Sequence, residues 1–333
     1  MEDSLAGTEN QLFCSSSGHK GSRLAIFIYH GIVRSQINWD CFIDDSLFRK
    51  QVAYLKKHFE IIPLSNAIER LRNREISRPT AAITLDDGFQ NNYDYAFPIL
   101  REAKIPATLF LVTGFLNTNY TYWYGRLVQA LSKTRKNMLE WDGRVFDLSV
   151  PECKVKTSIV IAEWLKQFHQ SRLLDELRRI ILELGEDPES QIEFGSPFRM
   201  LDHNSIEKMV NSGLIEFGAH THSHAILSLL SEDERRKEIG ESIQTINVLI
   251  ENPSKVFAYP NGLDGDYNND IFSLLESYGI KASLTAISGP NDDTTPLMEL
   301  RRYPISERWT MHEFKQVINR IIESDLNYEL LRS

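Results

Sequence analysis

Two groups of side chains in this sequence have the types and spacing to do chemistry. The first is Asp86-Asp87-Gly88, two adjacent carboxylates at the end of the apolar run Ala81-Ala-Ile-Thr-Leu85. The second is His220-Thr-His-Ser-His224, three imidazoles within five positions, directly after the strand-like run Leu214-Ile-Glu-Phe-Gly-Ala219. Asp and Gly are also common turn residues, and an isolated histidine is most often a surface or core residue. Two such groups at the ends of strand-like runs fit a site better than separate turns. Two imidazoles and a carboxylate form a ligand set that leaves a coordination position open for water on a divalent metal. A metal in that setting lowers the pKa of water toward about 7 and polarises a carbonyl oxygen. One Asp can bind metal while its neighbour acts as general base. If the strand stays extended through the pair, the two carboxylates leave on opposite faces and divide those tasks. His220 and His224 share a face on either a strand or a helical turn; His222 joins them only on a strand.

The elements that must position these groups alternate in type. The run Arg23-Leu-Ala-Ile-Phe-Ile-Tyr29 closes on His30-Gly31, with the same layout as the Asp86-Asp87 strand: apolar run, polar end, glycine. Further strands are expected at 107–112, 214–220, 255–260 and 281–286. Amphipathic helices are expected near 46–59, 66–72, 94–103, 204–211, 231–250 and 269–278, and a last one starts at Thr310. Ser231 with Glu234 and Thr310 with Glu313 have capping-box spacing. Strand–helix–strand units at this spacing imply parallel pairing. Six or seven such strands with acids and histidines at their ends favour an α/β fold, a distorted or incomplete (β/α) barrel. Residues of about 118–200 interrupt the rhythm with an aromatic cluster (Tyr120, Tyr122, Trp123, Tyr124) and helical segments near 125–134 and 155–184, and read as a mainly helical insertion. Residues 1–22 are polar and aperiodic and read as a disordered arm, so the ordered domain is 23–333.

The chain has 333 residues, 42% hydrophobic and 25% charged, long enough for one barrel-sized domain with insertions. A net charge of −9 argues against a nucleic-acid partner. Cys14, Cys41 and Cys153 imply neither a disulfide framework nor a cysteine metal site. No signal-peptide pattern opens the chain, and no apolar run reaches the roughly 18–20 residues that span a bilayer. These features lead to an expectation of a cytoplasmic protein. Oligomeric state is not legible.

The two motifs together resemble the polysaccharide deacetylases with NodB homology, carbohydrate esterase family four. Their Thr-Phe-Asp-Asp-Gly stands here as Thr84-Leu85-Asp86-Asp87-Gly88, and their His-(Ser/Thr)-x-x-His as His220-Thr221-His222-Ser223-His224. The resemblance implies that Asp87, His220 and His224 bind a divalent metal, usually zinc, and that Asp86 is the catalytic base; His222 falls at a variable position. The family's third motif, Arg-x-Pro-(Tyr/Phe)-Gly, appears as Ala258-Tyr259-Pro260-Asn261-Gly262. That assigns the oxyanion-binding backbone N–H to Asn261 and removes the arginine that orients the base. Arg302, in Arg301-Arg302-Tyr-Pro-Ile305, is the candidate to replace it. The family's Leu-x-x-His motif is not evident. Tyr29-His30-Gly31-Ile32 resembles the amino-terminal motif of the exopolysaccharide-type subgroup, which assigns the general acid to His30. Trp123 and its neighbours are candidates for a sugar-stacking wall, or for packing the insertion on the barrel.

By this resemblance the chain is a metal-dependent hydrolase that removes an N-acetyl group from an amino sugar, in a polysaccharide, an oligosaccharide or a glycan precursor. The alternatives are a deformylase acting on a lipid- or nucleotide-linked amino sugar, and a sugar-binding relative that has lost catalysis.

Overall fold

The computed structural model describes residues 23–330 except 35–38, 40 and 307; the arm read at 1–22 lies outside the described residues. The chain begins with β1 (Leu24–Tyr29), β2 (Gly31–Val33), β3 (Phe42–Asp44), α1 (Asp45–His58), β4 (Glu60–Ile61), α2 (Leu64–Arg72) and β5 (Thr80–Leu85). There follow α3 (Phe97–Ala103), β6 (Ala107–Leu111), α4 (Trp123–Lys133), β7 (Met138–Trp141), β8 (Arg144–Asp147), α5 (Pro151–Leu165) and α6 (Gln170–Glu183). The remainder is α7 (His203–Asn211), β9 (Ile215–Ala219), α8 (Glu232–Leu249), β10 (Val256–Ala258), α9 (Asn269–Ser277), β11 (Ala282–Leu284), β12 (Tyr303–Pro304) and α10 (Met311–Leu330).

The apolar runs form one sheet in the order β11-β10-β9-β6-β5-β1-β12, with β4 beside the first residues of β5. Every pair in it is parallel. Both faces are covered, so its long strands read as continuous apolar runs rather than alternating ones. Leu24, Ile26, Ala82, Phe110, Val256 and Ala258 pack on one face, together with Leu64, Ala67, Ile68 and Leu71 of α2. Phe27, Ile83, Leu109, Phe217 and Phe257 face the other way, in a cluster with residues of α1, α3, α8, α9 and α10. Ser65, at the start of α2, donates through its backbone N–H and its hydroxyl to the Glu216 carboxylate of β9.

The segment 300–304 curls the sheet on itself. Leu300 lies parallel to Leu284 of β11 and exchanges backbone hydrogen bonds with Ser283 and Thr285. A few residues on, Tyr303 and Pro304 pair with Phe27 and Ile28 of β1. The result is a distorted (β/α) barrel, as expected. A two-residue strand ending in proline has no periodicity to read, so this closure was not foreseen from the sequence.

Because the strands run parallel, their carboxyl ends share one edge, where folds of this kind place their chemistry. That edge carries His30, Asp86, Asp87, His220 and Asn261. Between β6 and β9 lie α4, α5 and α6, around a core of Leu127, Leu131, Ile161, Leu165, Leu177 and Ile180. This part differs from the mainly helical expectation by a hairpin, β7–β8, whose antiparallel strands meet at Asp142 (φ 51°) and Gly143 (φ 70°). An Asp-Gly turn with both residues at positive φ matches the twist of a two-residue hairpin. The helical stretch expected at 155–184 is two helices, the second capped by His169, whose ring accepts from the Ser171 N–H. Both capping boxes form. Among the described residues no helix is long and apolar enough to cross a membrane.

Candidate active site

The Asp86-Asp87 strand does not stay extended. Asp87 has φ 75° and Gly88 φ 79°, so the backbone turns over at the second carboxylate. The condition under which the two acids would leave on opposite faces is therefore not met, and both side chains border the same cavity. The left-handed conformation at position 88 suits glycine, and a Cβ there would lie 2.7 Å from the Leu111 side chain. The histidine segment turns in the same way, with Thr221 and His224 both at φ 62°. His222 is thereby removed from the group; its Nδ1 lies 3.1 Å from Thr113 Oγ1 and its Nε2 3.6 Å from Glu241 Oε2.

Asp87, His220 and His224 come together. Asp87 Oδ1 lies 3.6 Å from His220 Nε2 and 3.4 Å from His224 Nε2, and the three ligand atoms lie within 4.8 Å of one another. Ligands at about 2.0–2.2 Å from a tetrahedral ion sit roughly 3.3–3.6 Å apart, so the spacing fits a shared cation. Asp87 Oδ1 is buried without a hydrogen-bond partner, an arrangement that costs free energy unless something occupies it. His220 Nδ1 is 2.7 Å from the Ala258 carbonyl. That carbonyl only accepts, so the proton sits on Nδ1 and the Nε2 lone pair faces the carboxylates, the usual tautomer of a metal ligand. Burial pushes the His220 pKa down to about 4 against the nearby carboxylates, which keeps the ring neutral at physiological pH. Burial would raise the pKa of Asp87, but the imidazoles packed against it, His224 first, outweigh it and hold the carboxyl below its usual range.

Asp86 is held by Arg302. Two nitrogens of the guanidinium donate to its two oxygens at 2.7 and 2.8 Å, and both side chains are almost wholly buried, at 2% and 1% exposure. Arg302 also donates from Nε to the Thr285 carbonyl at 2.7 Å. Burial would raise the Asp86 pKa, but the neighbouring charge and hydrogen bonds, those of Arg302 first, outweigh it and hold the carboxyl below its usual range, so Asp86 is ionised. Its Oδ2 lies 3.9 Å from His220 Nε2, next to the ligand set but outside it.

His30 and Asn261 line the same cavity of about 270 Å³. The His30 carbonyl accepts from Asn92 Nδ2 at 2.7 Å, within the single π turn Asn92–Ala96. Asn261, at φ 61°, uses its side chain on Asp266 at 2.7 Å; the role expected of it rests on its backbone N–H alone.

Two residues that had no expected role beside the converging carboxylate and imidazoles support them. Tyr122, from the segment between β6 and β9, donates its hydroxyl to Asp87 Oδ2 at 2.9 Å. Its ring stacks on His224 with centroids 4.5 Å apart and planes at 27°. Burial, then the charge of Asp87, push the Tyr122 pKa well up, so it remains a donor. Glu238 of α8 accepts from the backbone N–H groups of His222 and Ser223 at 2.9 and 2.8 Å and from the Ser223 hydroxyl at 2.7 Å, holding the histidine turn. Trp123 is buried in the core of α4–α6 and also borders the cavity.

Residues 73–150 and 152–283 match the sequence profile described as polysaccharide deacetylase. The poly-beta-1,6-N-acetyl-D-glucosamine N-deacetylase of Staphylococcus epidermidis is 34% identical over 80 residues, 23% of this chain and 28% of that protein. The protein of the same name from Staphylococcus aureus strain MSSA476 is 32% identical over 73 residues, 22% of this chain and 25% of that protein. The matched stretch thus spans about a quarter of each of these relatives. Among solved structures, the Streptococcus pyogenes deacetylase PplD in complex with acetate aligns over 89% of this chain and 98% of its own, with a TM-score of 0.58 and 17% identity. IcaB from Ammonifex degensii aligns over 91% and 98%, with a TM-score of 0.57 and 17% identity. At that identity the likeness shows the barrel. His30 and Arg302 lie outside the matched stretches. Because the profile runs through both the Asp86-Asp87 strand end and the His220–His224 turn, the chain belongs to the polysaccharide deacetylase family.

Proposed function

We propose that this protein is a metal-dependent hydrolase that removes the N-acetyl group from an amino sugar. The observation that carries the reading is the convergence of Asp87 Oδ1, His220 Nε2 and His224 Nε2 beside the Asp86–Arg302 pair. These three residues would hold a divalent ion, zinc being the ion proposed, since two imidazoles and one carboxylate suit it. Such an ion would supply Lewis-acid polarisation of the acyl oxygen and acidify water, which lets a weakly basic carboxylate act as the base.

Asp86 accepts the proton of the attacking water, oriented for it by the two hydrogen bonds from Arg302. As the water oxygen bonds to the acyl carbon, negative charge develops on the acyl oxygen. The Asn261 backbone N–H donates to that oxygen. When the carbon–nitrogen bond breaks, His30 gives its proton to the departing amine, leaving acetate and a free amino sugar. Arg302 pairs with Asp86 although the third motif lacks its arginine, which supports a catalytic reading over a non-catalytic relative.

Release of acetate from N-acetylated amino-sugar oligomers by metal-loaded protein is the direct test. Formate released from N-formyl sugars, with N-acetyl sugars untouched, would move the reading to a deformylase; binding without release of either acid would leave a sugar-binding protein. Tyr122→Phe removes one hydrogen bond to a ligand carboxylate while keeping the stacked ring. It is expected to weaken metal binding by about tenfold, measured by chelator competition, and an unchanged affinity would remove Tyr122 from the site.

A further inference from the structure

His30 stands where β1 leaves the sheet, and its backbone is held closely while its ring is not. The pairing of β1 with β5 ends at Tyr29, whose carbonyl accepts from the Asp86 N–H at 2.9 Å. One residue on, the His30 carbonyl accepts from Asn92 Nδ2 at 2.7 Å. The Gly31 N–H then donates to the Cys41 carbonyl at 3.2 Å, and the Ile32 N–H donates to Asn91 Oδ1 at 3.1 Å. Among the described residues the His30 imidazole has no hydrogen-bond partner of its own. Its place in the cavity beside Asp86 and Asp87 is therefore set through the backbone, and two neighbouring amides hold that backbone on either side of it.

The orientation of both amides follows from their partners. A carbonyl only accepts and an N–H only donates, so Asn92 turns Nδ2, and Asn91 turns Oδ1, toward this segment. Asn91 Nδ2 donates in the other direction, to the Pro197 carbonyl at 2.8 Å. Asn91 and Asn92 follow Asp86 by five and six positions, so one short stretch carries the base, a metal ligand and both amides. Neighbouring side chains on a regular α-helix point about 100° apart. These two nevertheless meet the same three residues, where the chain winds into the π turn Asn92–Ala96 and the Phe97 N–H reaches the Asn92 carbonyl. Gly31 permits the approach, since a Cβ there would run into the Phe42 ring and lie 3.0 Å from Asn91 Oδ1. Two costly features coincide at Asn92: the π turn, and an Oδ1 buried without a hydrogen-bond partner among the described residues. Features of that kind persist where the surrounding structure over-determines them, and they gather at functional sites. Neither asparagine lines the cavity.

We propose that Asn91 and Asn92 are positioning residues that fix His30 at the departing amine, acting on proton transfer through the backbone of residues 30–32. The inference rests on the deacetylase reading above, in which His30 is the proton donor. The test is a double-mutant cycle on acetate release from an N-acetylglucosamine oligomer by metal-loaded protein. It compares wild type, Asn91→Ala, Asn92→Ala, His30→Ala and each asparagine variant combined with His30→Ala. Each asparagine variant alone is expected to lower kcat about 10–100-fold, the effect of a reacting group displaced by about an ångström, with KM and bound metal unchanged. Combined with His30→Ala, the same substitutions are expected to cost nothing further, because the group they position is gone. Asn92→Asp, which keeps the shape and loses the donor, is expected to match Asn92→Ala and stands in for it should the truncation unfold the chain. A loss that adds in full to that of His30→Ala overturns the inference, because it shows a role that does not run through the imidazole. So does loss of bound metal in the asparagine variants, an unchanged kcat in His30→Ala, or a kcat within about twofold of wild type in both asparagine variants. Any of those results, obtained with active wild type, leaves the deacetylase reading standing. No acetate from wild type removes that reading and this inference together.

Discussion

Asp86→Asn is expected to leave metal binding intact and to lower kcat by about 10²–10⁴-fold, the usual contribution of a positioned general base. The amide keeps the shape of the carboxylate and one acceptor for Arg302, but it cannot take a proton from water. Asp87→Ala and His220→Ala should behave differently. Each removes one of the three converging ligand atoms, so metal content and turnover should be lost together. Metal analysis and acetate release on the same purified samples separate the two patterns. An Asp86→Asn protein that loses its metal, or an Asp87→Ala protein that retains it, would exchange the roles assigned to the two acids.

Arg302→Ala is expected to cost about 3–5 kcal/mol of folding stability, the effect of removing one partner from a buried ion pair. The penalty arises because Asp86, at 2% exposure, is left charged without its two donors. Arg302→Lys should recover only part of the loss, because an ammonium cannot reproduce the two-pronged guanidinium contact and would leave the Thr285 carbonyl without its Nε donor. Denaturant unfolding of the three proteins measures this; an Arg302→Ala protein within about 1 kcal/mol of wild type would show that the pair does not hold the barrel edge.

Much of this arrangement was legible in the sequence. The strand ends could be read because a buried parallel strand is a short apolar run, and a carboxylate or imidazole directly after one has few purely structural reasons to be there. The bend at Asp87 could not be read in that way. Nothing in Leu-Asp-Asp-Gly distinguishes an extended Asp87 from one at φ 75°, and that choice decides whether the two acids share a cavity. Tyr122 was hidden by its company, since in a cluster of four aromatics packing is the ordinary explanation and only the fold places one hydroxyl on Asp87. Glu238 sits in a helix rich in Glu and Arg, where a carboxylate reads as solvated surface; its three acceptor contacts with the histidine turn depend on how α8 docks. The β7–β8 hairpin does carry a local signal in Asp142-Gly143, but its strands are four residues each and are flanked by much stronger helical patterns.

The segment 300–304 joins two events that are usually separate. It supplies the staves between β11 and β1, and it also carries the guanidinium that pairs with Asp86, 216 positions earlier in the chain. During synthesis, everything through β11 can leave the ribosome and begin to pack while the base still lacks its counter-charge. A pairing across so long a stretch of chain carries a large loop-closure entropy, and the same few residues that close the ring also arm the base.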